Sequence, residues 1–281
     1  MDPAIPLRRN VATARVTTVR AEERFERADR LAAEEPMEIR AGGPGQEPAS
    51  VAVTMRTPGS DFELATGFLW TEGLIHARDD VVSVAYCDLP PPEQRYNVVT
   101  VRLSRTFDPT SLQRNFYATS SCGVCGKASL DQVKVECAGV GPGPVVARSA
   151  ITGLPATLRE AQRIFEQTGG LHAAGLFDGG GGVAAVREDV GRHNAVDKLV
   201  GWALMRGELP LANRMLMVSG RVSFEIVQKA ALAGVPIVCA VSAPSSLAVE
   251  TAERMGMTVV GFLRGDRFNV YTHQERIDLR S

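Results

Sequence analysis

Ser120-Ser121-Cys122-Gly123-Val124-Cys125-Gly126-Lys127 is the stretch of this chain best equipped for covalent chemistry. Two thiols three positions apart reach a common sulfur or a common metal. Glycines at 123 and 126 remove side-chain obstruction and allow positive φ. Lys127 sets a cation nearby, which favours the nucleophilic thiolate. The residues alone leave four readings open. Structural zinc takes a full tetrahedral ligand set, usually from a second C-x-x-C or a histidine pair. Here Cys87, Cys137 and Cys239 are isolated, and His76, His172, His193 and His273 are scattered. A zinc deaminase carries H-x-E followed by P-C-x-x-C, whereas Ala77 and Arg78 follow His76, and Ser121 precedes Cys122. A thioredoxin-like dithiol follows a strand and opens a helix within a βαβ unit; this pair sits in a polar inter-domain segment. Two exposed thiols with no role would invite oxidation. In sulfur transfer, a thiolate accepts sulfur as a persulfide and hands on the terminal atom. The second thiol then assists, or resolves the persulfide by disulfide exchange.

A second set of residues points to an anionic ligand. In open α/β sheets, ligands bind beyond the carboxyl ends of parallel strands. The strands expected over 214–218, 236–241 and 257–262 are followed by Ser219-Gly220-Arg221, by Ser242-Ala243-Pro244-Ser245-Ser246 and by Leu263-Arg264-Gly265-Asp266-Arg267. Hydroxyls, glycines and guanidinium groups thus recur at one expected edge, and the first two segments lead into helix N-termini. Free N–H groups and arginine forks there suit phosphate or pyrophosphate. The same Ser and Gly residues also serve as ordinary caps and turns. Asp266 is placed to accept from a base edge, or is a plain surface carboxylate. Residues 188–198 form the other polar cluster, joining an expected strand to an expected helix. There Asp189 reads as a cap for the helix start, and Asp197 with Arg192 as a solvated pair. His172 and His193 read as hydrogen-bonded core or edge histidines before they read as general bases.

These groups need a scaffold, and the residue pattern supplies one. β-Branched or alternating runs at 13–19, 37–39, 50–55, 81–87 and 97–103 predict strands. One helix interrupts them: Pro58-Gly59-Ser60-Asp61 offers a turn and an N-cap, and Phe62, Ala65, Leu69 and Trp70 recur at helical spacing until Gly73. From about residue 151 the pattern changes. A helix is expected over 158–165, two strands over 171–177 and 183–187 around the glycine run 179–182, and a helix from about 193 to 205. Strands and helices then alternate through 214–218, 224–232, 236–241, 246–255 and 257–262. Short connections in that order predict parallel strands. The fold class is therefore α/β, α+β overall. The expected parts are a flexible tail at 1–14, a strand-rich domain at 15–118, a mobile cysteine loop at 119–127 and an α/β ligand-binding domain at 128–281.

Composition narrows the class further. The 281 residues are 44% apolar and 22% charged, an ordinary balance for a globular protein. The net charge of −1 provides no general field for nucleic acid or an anionic membrane. The longest apolar runs fall well short of the about 18 residues that span a bilayer. Residues 1–10 lack the apolar core of a secretory signal. Five cysteines, an odd and sparse set, suggest reduced thiols and a cytoplasmic protein.

Several long motifs resemble one family in the expected order. They are residues 67–75 (GFLWTEGLI), 122–126, 168–172, 188–198, 219–226 (SGRVSFEI), 241–250 (VSAPSSLAVE) and 261–272 (GFLRGDRFNVYT). Together they resemble the formate dehydrogenase accessory sulfurtransferase family, FdhD or NarQ, from about residue 15 to about 273. The resemblance implies that sulfur comes from a cysteine desulfurase as a persulfide. It then passes to the molybdenum cofactor, Mo-bis(molybdopterin guanine dinucleotide), whose terminal sulfido ligand formate dehydrogenase requires. Cys122 matches the family's persulfide cysteine and Cys125 the second of the pair. Phe262, Leu263, Arg264, Gly265, Asp266 and Arg267 match its cofactor-binding segment. The resemblance also implies a C-terminal domain like the cytidine deaminases without their zinc site, and a homodimer. A desulfurase and the formate dehydrogenase apoprotein are the implied partners, and no resident metal is expected. Two other classes remain: a non-catalytic cofactor chaperone that uses residues 262–267, and a dithiol oxidoreductase that reduces a disulfide substrate.

Overall fold

Residues 214–264 alternate apolar strands with amphipathic helices, and this alternation builds the centre of the molecule. The computed structural model describes residues 10–87, 96–107 and 139–280. The cysteine loop and the domain boundary expected there lie outside the described residues. Strands β8 (His172–Asp178), β9 (Val183–Asp189), β10 (Arg214–Val218), β11 (Ile237–Ala240), β12 (Thr258–Arg264) and β13 (Arg267–Thr272) form one sheet in the order β13-β12-β11-β10-β8-β9. β10, β11 and β12 are parallel, as the alternation predicts. β8 runs antiparallel to both β10 and β9, and β13 antiparallel to β12. β10 and β11 are almost wholly apolar because both faces are covered.

β7 (Val146–Ala147) and β14 (Ile277–Asp278) form a short parallel pair, and two further sheets precede the large one. β3 (Glu35–Gly42), β4 (Ala49–Arg56), β5 (Val81–Tyr86) and β6 (Val98–Leu103) order as β4-β3-β6-β5. β1 (Val11–Arg20) and β2 (Glu23–Ala32) make a two-stranded ribbon. The strand expected over 13–19 is β1. β2 was not expected, because its charge-rich sequence lies exposed and shows no buried alternation.

Helix α1 (Asp61–Thr71) packs on the four-stranded sheet through Leu64, Ala65, Phe68 and Leu69. Its start corrects the sequence reading. Ser60 sits at φ 55 and makes no side-chain cap; the Asp61 carboxylate instead holds the buried Arg56 guanidinium, at 3.0 Å from Nη2. The helix expected over 158–165 is two helices, α2 (Arg148–Ala161) and α3 (Arg163–Thr168). Gln162 leaves helical geometry between them, at φ −81, ψ 73. The Glu188 carboxylate, from β9, accepts from the Ile164 and Phe165 N–H groups at 3.0 and 2.7 Å and caps α3. α4 (Arg192–Arg206) follows β9 and ends at Gly207, whose φ of 71 suits a glycine C-cap. α5 (Phe224–Leu232) and α6 (Ser246–Arg254) follow β10 and β11.

The large sheet separates two cores. One buries α4, α5 and α6 against one face, through residues such as Leu199, Ile226 and Ala248. The other buries Ile151, Leu154 and Leu158 of α2 with Phe177, Met217 and Leu263. The spacing of those three α2 residues sets its single apolar stripe. α1 lies across α4, and Leu204 of α4 joins the core of the four-stranded sheet. Among the described residues no helix is long and apolar enough to cross a membrane.

Candidate functional site

The carboxyl ends of β9, β10 and β11 and the first residue of β8 meet at one edge of the large sheet. Asp189 ends β9 opposite His172, which opens β8. Ser219 follows β10, where its hydroxyl accepts from the Ala173 N–H at 2.8 Å. Ser242 follows β11, and its carbonyl accepts from the Phe262 N–H at 3.1 Å. Val222 and Pro244 form a parallel bridge that joins these two loops. The edge opens on a cleft of about 730 Å³. Arg159, Gln162 and Phe165 line its helical wall; Gly170, His172 and Ser219 line its sheet wall. The Arg159 guanidinium lies 4.3 Å from the Phe165 ring centre.

Both histidines belong to this edge and both stay neutral at neutral pH. Burial pushes the His193 imidazole down to about 4, with the Arg192 and Lys229 charges adding to it. Burial and Arg192 lower His172 as well. Ser223 precedes α5 but does not cap it. Its hydroxyl lies 3.3 Å from His193 Nε2 and also bonds the Glu225 carboxylate. One hydroxyl proton serves the carboxylate, so the oxygen accepts from Nε2–H and leaves Nδ1 as the imidazole acceptor. Arg192 Nε is buried without a hydrogen-bond partner, and Arg192 Cδ and His172 Nδ1 both face the Gly220 position. Arg192 is thus a feature of the site, where the residue pattern suggests an ion pair with Asp197.

That reading of residues 188–198 is corrected in two places. Asp197 does not pair with Arg192 in solvent. It is buried, accepts from Thr71 Oγ1 at 2.7 Å, and meets Lys229 Nζ at 2.9 Å. Burial opposes the Lys229 charge, but Asp197 and Glu72 outweigh it and hold that pKa above its ordinary value. Asp189 does not cap a helical N–H. Fully buried, it accepts from the Thr57 and Gly191 N–H groups and from Asn194 Nδ2, and pairs with Lys198 Nζ at 2.7 Å. Lys198 also donates to the Thr57 and Glu188 carbonyls. This cluster therefore ties β4 and α1 to the large sheet directly beneath the edge.

The segment 262–267 is not a loop beyond a strand end, as expected. β12 continues to Arg264, and Gly265-Asp266 turns the chain into β13 at Arg267. Gly265 has φ 57, the positive value that glycine tolerates at the first position of a two-residue hairpin turn. Leu263 is fully buried in the core, so only its backbone reaches a ligand. Phe262 is exposed, and Arg264, Asp266 and Arg267 stand out in solvent. Arg148, the first residue of α2, donates from Nη2 to the Asp266 carbonyl at 3.1 Å. Three guanidinium groups thus gather at the tip, and among the described residues none of the three has an ion pair. α2 leads from this tip at Arg148 to the cleft at Arg159, about 16 Å along its axis.

Cys122 and Cys125 lie outside the described residues. Cys239 lies inside the core, where burial pushes its thiol up to about 12, so it stays protonated and is no nucleophile.

Comparison with known proteins decides the lineage. The model of the "FdhD/NarQ family" matches residues 32–278. The chain belongs to the FdhD/NarQ family. It is 53% identical over 269 residues to "Sulfur carrier protein FdhD" of Mycolicibacterium paratuberculosis, covering 94% of this chain and 97% of that one. It is 45% identical over 269 residues to the protein of the same name from Sulfurisphaera tokodaii, covering 95% and 99%. A crystal structure of a formate dehydrogenase accessory protein from Desulfotalea psychrophila matches with a TM-score of 0.74. It covers 96% of this chain and 100% of that chain at 24% identity, and it shares the fold described above.

Proposed function

We propose that this protein is a sulfur carrier for formate dehydrogenase. In this reading Cys122 takes sulfur from a cysteine desulfurase and delivers it to Mo-bis(molybdopterin guanine dinucleotide). Family membership and near-full-length relatives named as sulfur carriers support the sulfur role. The observation that carries the acceptor side is the tip at Arg148, Arg264 and Arg267, whose guanidinium groups lack carboxylate partners among the described residues. The acceptor is a substrate bearing pyrophosphates and guanines, and arginine forks suit phosphate oxygens. The exposed Phe262 ring offers a stacking face and Asp266 an acceptor for a base edge. Arg159 in the cleft supplies a second cationic position about one helix length away, and the buried Arg192 lies at the same sheet edge beside His172.

The chemistry follows in two steps. The Cys122 thiolate attacks the outer sulfur of the desulfurase persulfide. A Cys122 S–S bond forms, the donor's S–S bond breaks, and the donor cysteine leaves as thiolate. In the second step Cys122 leaves as thiolate from its own persulfide. The outer sulfur departs without the bonding pair, so the acceptor supplies two electrons to take it as sulfide. Cys125, three positions further along the sequence, resolves the persulfide by thiol–disulfide exchange. The functional unit is a cytoplasmic homodimer that meets a desulfurase and the dehydrogenase apoprotein.

The test is a mass spectrum of the reduced protein after incubation with a cysteine desulfurase and cysteine. The expected result is one added sulfur on the Cys122 peptide, absent in Cys122→Ala and lost when molybdenum cofactor is added. No gain on either cysteine, with guanine-nucleotide binding intact, would replace the carrier reading with the chaperone reading.

A further inference from the structure

The ribbon β1–β2 stands apart from all three cores. Among the described residues its strands pair only with each other. Ten residues per strand give it a length of about 33 Å. The body touches its base: Arg30 Nη1 donates to Gln167 Oε1 at 3.0 Å, and Ala32 lies beside Gly170. Val19, Phe25 and Leu31 are exposed at 63%, 46% and 44%. A lone two-stranded ribbon is marginal in water, and three or more strands are needed for independent stability. A bare edge also invites pairing unless its charges prevent it.

The charges on β2 do not simply repel. One face of the strand carries Glu23, Phe25, Arg27, Asp29 and Leu31; the other carries Arg24, Glu26, Ala28, Arg30 and Ala32. We propose that the outer edge of β2 pairs antiparallel with the same edge of a second copy, about a two-fold axis at Ala28. The product is a continuous sheet in the order β1-β2-β2-β1. A two-fold axis normal to the sheet passes through a residue that faces itself, so choosing that residue sets the register. With Ala28 on the axis, Arg27 faces Asp29 of the other copy, Glu26 faces Arg30 and Phe25 faces Leu31. Every charged pair is opposite in sign, and both exposed apolar side chains are covered. Arg27 already meets Asp29 of its own strand at 2.9 Å. The second copy sets the same pair beside it in reverse order, which makes a square of alternating charge.

Neighbouring registers fail. An axis at Arg27 opposes Arg27 to itself and Arg24 to Arg30. An axis at Asp29 opposes two carboxylates. An axis at Phe25 matches charges but pairs only the turn-proximal half of β2 and leaves Leu31 uncovered. Like charges directly opposite are destabilising, so one register is selected over the full strand. All of the ribbon except Ala32 precedes the residues that the family model matches. The proposal rests only on the dimer stated above and uses none of the sulfur chemistry.

Sedimentation of the full chain at micromolar concentration tests it. The wild type sediments as a dimer. Arg27→Asp and Asp29→Arg, each alone, weaken dimerisation roughly tenfold or more, because two opposed pairs per dimer turn repulsive. An equimolar mixture of the two variants recovers the dimer, since each reversed charge then meets its opposite on the other chain. Pairing within one chain would give no such recovery. Under mild oxidation Ala28→Cys yields a covalent dimer that neither the wild type nor Phe25→Cys yields. A monomeric wild type, a dimer indifferent to both reversals, or a mixture that stays monomeric overturns the proposal. Sulfur loading of each variant, read by mass, stays at the wild-type level and separates this failure from failure of the carrier reading.

Discussion

Gly67 on α1 and Gly201 on α4 let two helices cross backbone to backbone. A Cβ at Gly67 would overlap the Asp197 carbonyl and lie 2.7 Å from the Gly201 nitrogen, and a Cβ at Gly201 would overlap the Glu63 carbonyl. No flexible side chain can yield there, because the obstruction is backbone. This crossing joins the four-stranded sheet to the large one, and the Arg187–Glu63 pair bridges beside it at 2.7 Å.

Gly67→Ala or Gly201→Ala is therefore expected to destabilise the protein by on the order of 3 kcal/mol, at the upper end for overpacking. Urea unfolding measures it. Alanine at either position with an unchanged midpoint would refute the close crossing.

The Asp189–Lys198 pair beneath the sheet edge predicts a second loss. Asp189→Asn keeps a single acceptor oxygen, so one of the Thr57 and Gly191 N–H groups, which bond different carboxylate oxygens, loses its partner, and the Lys198 ammonium is left buried without its counter-charge. The expected cost is about 3–5 kcal/mol. Adding Lys198→Met should recover part of it, since the uncompensated charge is then gone. Equal stability of the single and double variants would show that the charge is not the cause.

The pH dependence of stability carries a sign. His193 titrates near 4 in the folded protein, below the ordinary 6.5 it regains on unfolding. Between those values the unfolded state binds more protons, so stability falls as pH drops from 6.5 towards 4. His193→Gln should flatten that slope by about one proton in this window. His273 has the opposite sign: the Glu253 carbonyl and the Glu275 carboxylate raise its pKa, so its contribution is lost as pH rises. Thermal melts of wild type and His193→Gln from pH 4 to 8 make the comparison. Parallel curves would mean that His193 is not held neutral.

At the hairpin tip, Arg264→Ala or Arg267→Ala should weaken guanine-nucleotide binding by ~1.5–3 kcal/mol, the scale of a hydrogen bond to a charged group. Both side chains are exposed, so the fold should stay intact. Arg148→Ala, which also removes a bond to the Asp266 carbonyl, tests the third guanidinium. Calorimetry with unchanged affinity would remove the residue from the site.

Much of the large sheet was legible in the sequence. β10, β11 and β12 announce themselves because a strand buried on both faces is an apolar run, and helices with one apolar stripe separate them. β2 was not legible, since its sequence is charge-rich and exposed along most of its length, and no buried face imposes a period on it. The break between α2 and α3 escaped for another reason. Its cap is Glu188, more than twenty positions away on β9. The hairpin tip was read as a strand-end loop because the same glycine and charged residues serve either geometry.

What the sequence determined by itself was local: the spacing of Cys122 and Cys125, the alternation of strands and helices after residue 214, and the motifs that resemble the family. Tertiary structure alone decided which charges meet. Asp197 pairs with Lys229, 32 positions away, and Lys229 reaches Thr71, 158 positions away. It also brought Arg148 to Asp266 and hid the Cys239 thiol. The physical reason is range. Periodicity reports the face a segment presents to the core, whereas a buried charge takes whichever opposite charge the packed fold brings within reach.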